Sequence, residues 1–243
     1  MGFYNEIAKY YDDIFSTGEA QVAFLKEVIG SPPKEVLDIA CGTGGYSIPL
    51  AQQGHHLSSV DLDHEMIQTL KSKVERLQIQ LEAIQGNMLN LDNKGKKYDA
   101  AFCIGNSIVH LQSIEEIAQF IKNVKNVLKK NGKFILQIIN YDRILKYHVK
   151  SLPTIENKNI PLSFERLYDY QQENNKVNFK TILRVEGKEI QNEIPLYPLL
   201  SGELLDILDS LGFYPISLYG DFNKTKYDKD DSFLTVLVAS VWN

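Results

Sequence analysis

The residues able to do chemistry cluster around one short string. Asp38 interrupts an apolar stretch (Val36, Leu37, Ile39, Ala40), and Gly42 and Gly44 follow in D-I-A-C-G-T-G. Glycines at this spacing let the backbone turn sharply and let a ligand approach the main chain. Asp61 lies 19 residues after Gly42, at the end of a second apolar stretch. A carboxylate there can take both hydroxyls of a ribose, or it can cap a helix, a role for which Asp63 is better placed. His110 is the best general base by chemical type, or else a core histidine holding a backbone group. A pyrophosphate fingerprint would put a third glycine where Ser47 stands. Pyrophosphate also favours a helix N-terminus without a neighbouring carboxylate. Asp38 therefore suits an amino-acid moiety better. No Asp/Asp/Asn or His/carboxylate grouping in the sequence points to a catalytic metal.

Holding these positions requires alternating strands and helices. Buried strands are predicted at 36–40, 56–60, 80–84, 98–104 and 133–139, each followed by one of the singled-out residues. Helices are predicted at 19–29, stopping at Gly30 before Pro32 and Pro33, at 47–53, and from about 63 with Met66, Ile67, Leu70 and Val74 on one face. A further helix begins at the capping box Ser113–Glu116 and ends at Asn131-Gly132. An amphipathic N-terminal helix carries Tyr4, Ile7, Ala8, Tyr11, Ile14 and Phe15. Beyond residue 150 the pattern changes. Stretches 163–170, 177–185 and 189–196 read as antiparallel strands, with a turn at Glu186-Gly187-Lys188. Strands without intervening helices do not extend a parallel sheet. They are expected to form a small lid at 149–197 between two parts of one core, 1–148 and 198–243. Its face with Phe164, Arg166, Tyr168 and Tyr170 is either a substrate wall or a half-exposed sheet. A helix capped by Ser201 and strands at 215–219 and 233–241 complete the chain.

D-x-A-C-G-T-G resembles the first motif of the class I S-adenosylmethionine-dependent methyltransferases. The string Y-N-E-I-A-K-Y-Y-D-D-I-F resembles the segment that precedes it, where aromatics cover the cofactor. G-N-S-x-x-H-L at 105–111 and N-Y-D at 140–142 are similar to the glycine N-methyltransferase branch. The resemblance implies an α/β fold: a Rossmann-like seven-stranded sheet in the order 3-2-1-4-5-7-6 with helices on both faces, plus the antiparallel lid. It implies S-adenosyl-L-methionine as cofactor, contacted by Tyr10, Tyr11, Asp38, Ala40, Gly42, Gly44, Asp61, Leu62, Met66, Asn87, Met88, Ile104 and Gly105. Leu62 would lie on the adenine face. Asn87 would take the adenine amino group, or cap a turn. Asn106 and His110 would face the transferring methyl, and Tyr11 would offer a sulfonium its aromatic face. Asn140, Tyr141, Tyr168 and Asp221, the last in Y-G-D-F at 219–222, would contact the acceptor. The implied activity is methyl transfer to a small-molecule amine or hydroxyl. The rivals are a non-enzymatic cofactor-binding regulatory subunit and a nicotinamide oxidoreductase. The glycine N-methyltransferase pattern has an arginine just before N-Y-D, suited to gripping a carboxylate. Here Ile139 occupies that position. Glycine and sarcosine are accordingly not expected as substrates, and a larger, more apolar acceptor is, unless Arg166 or Arg184 of the lid supplies the missing charge.

Composition bounds the rest. The 243 residues carry a net charge of −5 and 44% hydrophobic residues, enough for a good core. The acidic balance argues against a nucleic-acid-binding face, and no N-P-P-Y or D-P-P-Y follows the fourth strand. Cys41 and Cys103 are the only cysteines, which fits a reduced compartment. The first twenty residues read as no signal peptide, and the longest apolar run is about half of a membrane span. The expectation is a cytoplasmic protein, monomer or homodimer, with no membrane partner.

Overall fold

The computed structural model describes residues 7–91, 95–157 and 160–242; Tyr4 lies outside them. Seven strands form one sheet: β1 (Glu35–Ile39), β2 (His56–Asp61), β3 (Glu82–Gln85), β4 (Tyr98–Cys103), β5 (Leu128–Ile139), β10 (Phe213–Tyr219) and β11 (Leu234–Val241). Their spatial order is β10-β11-β5-β4-β1-β2-β3, the expected 3-2-1-4-5-7-6 when the core strands are counted alone. β1 to β5 run parallel, and β11 runs antiparallel between β5 and β10. β1, β4 and β5 are buried on both faces, as a central parallel strand must be. Alternate residues feed two cores. Val36, Ala100, Phe102, Ile135 and Val236 meet α2 (Glu19–Ile29) and α3 (Ser47–Ala51). Leu37, Ile39, Ala101, Phe134 and Leu136 meet α5 (Ile114–Val127) and α7 (Ser201–Ser210). Cys41 and Cys103 are buried free thiols, and burial pushes both well up from the usual thiol range.

Several boundaries differ from expectation for local reasons. The N-terminal segment is one turn of 3-10 helix, Ala8–Tyr10, followed by one turn of α-helix, α1 (Tyr11–Ile14), rather than a continuous helix. α5 stops at Val127 because Leu128 already pairs with Tyr98; Asn131, with φ +60°, then sits in a register irregularity of β5. Ser113 caps α5 through the Glu116 N–H, but the Glu116 carboxylate takes the N–H of Gln112, one residue short of a capping box. Leu200, not Ser201, is the N-cap of α7.

Between α6 (Tyr141–Lys146) and α7 lies a second, four-stranded antiparallel sheet: β6 (Ser151–Asn157), β7 (Leu162–Gln171), β8 (Lys176–Val185) and β9 (Lys188–Leu196). β6 has no counterpart in the sequence reading. Its Pro153 and a register shift between Leu152 and Ile155 interrupt the alternation that would mark a strand. The N-Y-D triplet joins the sheets. Asn140 caps α6 through the Arg143 N–H (3.3 Å), and its amide donates to the carbonyls of Lys229 and Ser232 (both 2.9 Å). Tyr141 is fully buried, with its ring 6.3 Å from that of Tyr168 on β7. Asp142 accepts from the Ser201 N–H at the start of α7 (2.8 Å).

The N-terminal segment packs on the second sheet through Ile7, Tyr10, Ile14 and the fully buried Phe164. Truncating a buried phenylalanine costs about 3–5 kcal/mol. Phe164→Ala should lower the melting temperature and speed proteolysis within residues 7–18. Unchanged melting and cleavage would show that this packing does not hold the segment.

Candidate active site

The chain turns from β1 into α3 through residues whose backbone is the site. Ala40, Gly42 and Gly44 all have positive φ, of +59°, +55° and +86°. For Ala40 this costs about 1–2 kcal/mol. Space beside the glycines is tight as well. A Cβ on Gly42 would stand 3.0 Å from the Tyr11 hydroxyl oxygen, and one on Gly44 would stand 2.3 Å from Leu70 Cδ1.

Asp61 fixes this loop from β2. Its Oδ2 accepts from the Gly42 N–H (2.8 Å) and its Oδ1 from the Asp63 N–H (2.9 Å). Burial raises its pKa, and these backbone donors oppose the shift. The helix cap is Asp63, which accepts from Glu65 and Met66 at the start of α4 (His64–Leu77). The carboxylate lines the cavity and retains acceptor capacity for a further donor. The N-terminal segment is pinned over the loop: Asp12 accepts from Thr43 Oγ1 and pairs with Lys73 (2.5 Å), which also donates to the Thr43 carbonyl (3.2 Å).

A cavity of about 740 Å³ opens at the carboxyl ends of β1, β2, β3 and β4. Of the residues singled out in the sequence, Tyr11, Ala40, Gly42, Asp61, Leu62, Met66, Asn87, Met88 and His110 line it. Leu62, 67% exposed, and Met88 give it apolar walls. Asn87 also closes a turn, its Oδ1 accepting from the Leu89 N–H (2.8 Å). His110 is half-buried, and burial lowers its pKa to about 4. Ser107, Gln112, Glu116, Ile194 and Pro195 line the cavity too. Sequence reasoning missed them: Glu116 read only as a capping residue, and the β9 pair as part of a plain strand.

The remaining positions sit around the cavity, not on its wall. Asp38 lies beneath the loop, fully enclosed, accepting from Ser47 Oγ (2.5 Å), which is 2.6 Å from Ser59 Oγ. Gly44 backs onto Leu70. The Tyr10 hydroxyl donates to Glu186 in the β8–β9 turn (2.9 Å). Ile104 packs into the α2/α3 core. The Gly105 N–H donates to the Gln137 side chain (2.9 Å). Asn106, with φ +69°, is engaged at both ends, accepting from the Ile139 N–H and donating to the Tyr141 hydroxyl (3.0 Å each). Tyr168 is buried against Tyr141. Asn140 is spent on its cap. Asp221 closes its own loop through the N–H groups of Asn223 and Thr225, beside Phe222 and α2. Asn140, Tyr141, Tyr168 and Asp221 do not line this cavity. Among the described residues no cluster of three His, Cys, Asp or Glu could hold a metal, and no helix is long and apolar enough to cross a membrane.

A family profile described as a methyltransferase domain matches residues 36–132. That stretch holds the glycine loop, Asp61, Asn87 and His110. The chain is an S-adenosylmethionine-dependent methyltransferase, similar to the class I enzymes and to glycine N-methyltransferase. A glycine/sarcosine N-methyltransferase of Aphanothece halophytica is 29% identical to it, over 95% of this chain and 84% of its own length. A solved S-adenosylmethionine-dependent methyltransferase of Clostridium acetobutylicum superposes with a TM-score of 0.83 at 18% identity, over the whole of both chains. The CcbJ methyltransferase of Streptomyces caelestis superposes at 0.82 and 20% identity, over 98% of this chain and 96% of its own. This methyltransferase is an enzyme with S-adenosylmethionine as its methyl donor.

Two titrations in the site have opposite signs. Burial pushes the Asp38 carboxyl up to about 7, the Ser47 hydroxyl opposing and the Asp61 charge adding. Unfolded, it ionises near pH 4. Its contribution to stability is therefore full below about pH 4 and is lost as pH rises towards 7. His110 has its pKa depressed on folding, so its contribution grows from about pH 4 to about 6.5. Denaturant midpoints measured across this range should fall less steeply, or rise, with pH in Asp38→Asn, and fall more steeply in His110→Gln. Parallel curves for the wild type and both variants would contradict the assignment.

Proposed function

We propose that this methyltransferase transfers a methyl group to the nitrogen of a small-molecule amine. When bound, S-adenosylmethionine supplies a methyl on a sulfonium. The chain's own residues bind, align and shield; alignment alone can supply roughly 7–11 kcal/mol. The cavity suits the cofactor on three counts. The carboxylate of Asp61 meets a ribose diol, Leu62, Met66 and Met88 offer apolar faces to adenine with Asn87 at its amino edge, and the Gly42–Gly44 backbone admits the methionine part. Tyr11 lies over the loop, where its ring suits a sulfonium.

The observation favouring nitrogen over oxygen is His110. A hydroxyl acceptor needs a base whose pKa lies near the working pH. The best candidate by type is held near 4 by burial, far too weak for a hydroxyl proton. An amine that binds neutral carries its own nucleophilic lone pair and needs little help. Relatives named for glycine and sarcosine N-methylation support the same choice. The net charge of −5 and two buried free thiols suit a small-molecule enzyme of the cytoplasm, working as monomer or homodimer.

With methyl-labelled cofactor and a panel of amines and phenols, the label should appear on nitrogen. The rate at subsaturating acceptor should rise between about pH 7 and 9 as the amine deprotonates, with the same slope in His110→Ala. Label on oxygen, or a slope that vanishes in His110→Ala, would overturn the nitrogen assignment. Asp61→Ala should weaken S-adenosylhomocysteine binding at least about tenfold, since hydrogen bonds to a charged group contribute about 1.5–3 kcal/mol each. An unchanged dissociation constant by calorimetry in a folded variant would sink the ribose assignment.

A further inference from the structure

The N-terminal segment lies along the glycine loop residue by residue. Tyr11 stands over Gly42, and both line the cavity. The Thr43 hydroxyl donates to Asp12. A Cβ on Gly45 would collide with Thr17 Oγ1. A ligand lying along the loop backbone on the cavity side therefore passes beneath this segment.

One side chain of α4 holds both the loop and the segment. Met66, Ile67 and Leu70 form the buried face of α4, and Leu70 backs onto Gly44. Lys73 follows Leu70 by three residues and so shares that face, one turn on. Its side chain is only 20% exposed. The ammonium donates to the Thr43 carbonyl (3.2 Å) and pairs with Asp12 (2.5 Å). The loop is thus gripped twice from this side. Asp61, just before the helix, takes the Gly42 N–H (2.8 Å), and Lys73 reaches the carbonyl of the next residue.

The two grips differ in what else they hold. Asp61 lines the cavity; Lys73 does not, and its second partner belongs to the segment that carries Tyr11. Asp12 is 55% exposed. An ion pair this open to solvent adds little to folding stability. Its effect falls instead on where the segment sits.

We propose that Lys73 is a positioning residue for the cofactor: through Asp12 it holds the segment carrying Tyr11 down on the glycine loop, and so sets how fast S-adenosylhomocysteine leaves. The proposal rests on the cofactor's methionine part lying along the Gly42–Gly44 backbone.

The test uses the full chain. Lys73→Met keeps the covered stem and removes the charge, while Lys73→Arg keeps a cation able to donate. By surface plasmon resonance, S-adenosylhomocysteine should leave Lys73→Met at least ten times faster than the wild type, and Lys73→Arg should recover most of the difference. Asp12→Asn should give a similar acceleration. The double variant should be no faster than either single one, as expected of two groups acting through one contact. Amides of residues 10–15 should exchange more slowly when S-adenosylhomocysteine is added to the wild type, and lose most of that protection in Lys73→Met. An unchanged off-rate in Lys73→Met, even with a lower melting temperature, would overturn the proposal, since Lys73 would then only brace α4 against the loop. So would accelerations that multiply in the double variant. If Lys73→Met fails to fold, Asp12→Asn, at an exposed position, decides. Wild-type binding of S-adenosylhomocysteine without protection of these amides would bring down the placement of the cofactor beneath Tyr11 as well; protected amides with unchanged off-rates in the variants would bring down the role of Lys73 alone.

Discussion

One half-buried carboxylate sets the geometry of this enzyme. Asp61 holds the Gly42 N–H at 2.8 Å and the Asp63 N–H at 2.9 Å. The first bond ties the loop after β1 to the end of β2. The second sets the turn from which Asp63 caps α4. Hydrogen bonds to a charged group contribute more than neutral ones, and here they are partly buried. The loop needs that hold, because Ala40 adopts a backbone conformation that an L residue resists. Release of Asp61 would leave the strained turn, the start of α4 and the cavity between them without a common anchor.

The cavity is then roofed by elements that the parallel sheet does not provide. Asp12, Thr43 and Lys73 clamp the N-terminal segment on the glycine loop. Tyr10, Lys9 and Glu186 tie that segment to the β8–β9 turn. On the other side, Asn140, Tyr141 and Asp142 attach the second sheet to β5, α6 and α7. The exposed ion pairs in this set contribute little by themselves; the packing of Phe164 on the N-terminal segment and of Tyr168 on Tyr141 carries the attachment. Tyr11 of that segment and Ile194 and Pro195 of β9 line the cavity from this side.

The parallel strands were legible because each is a short apolar run ending in a residue of distinctive chemistry; their order came only with the family resemblance that those residues carry. Part of the cavity wall was legible for the same reason, since Gly42, Asp61 and Asn87 follow β1, β2 and β3 directly and line it. The contacts beyond β5 were not. N-Y-D reads as a functional string, yet Asn140 and Asp142 spend their side chains on helix N-termini, which depend on chain folded back from 201 and 227–232. Asp221 likewise serves its own turn. β6 escaped notice because Pro153 and a register shift break its alternation.

The most direct measurement is the structure of the enzyme with S-adenosylhomocysteine bound. The ribose hydroxyls should sit on the Asp61 carboxylate while its bond to the Gly42 N–H persists. The adenine should lie between Leu62 and Met88, and the homocysteine tail should run along the Gly42–Gly44 backbone beneath Tyr11. A nucleoside bound away from Asp61, or an Asp61 that releases Gly42 to receive it, would contradict the account.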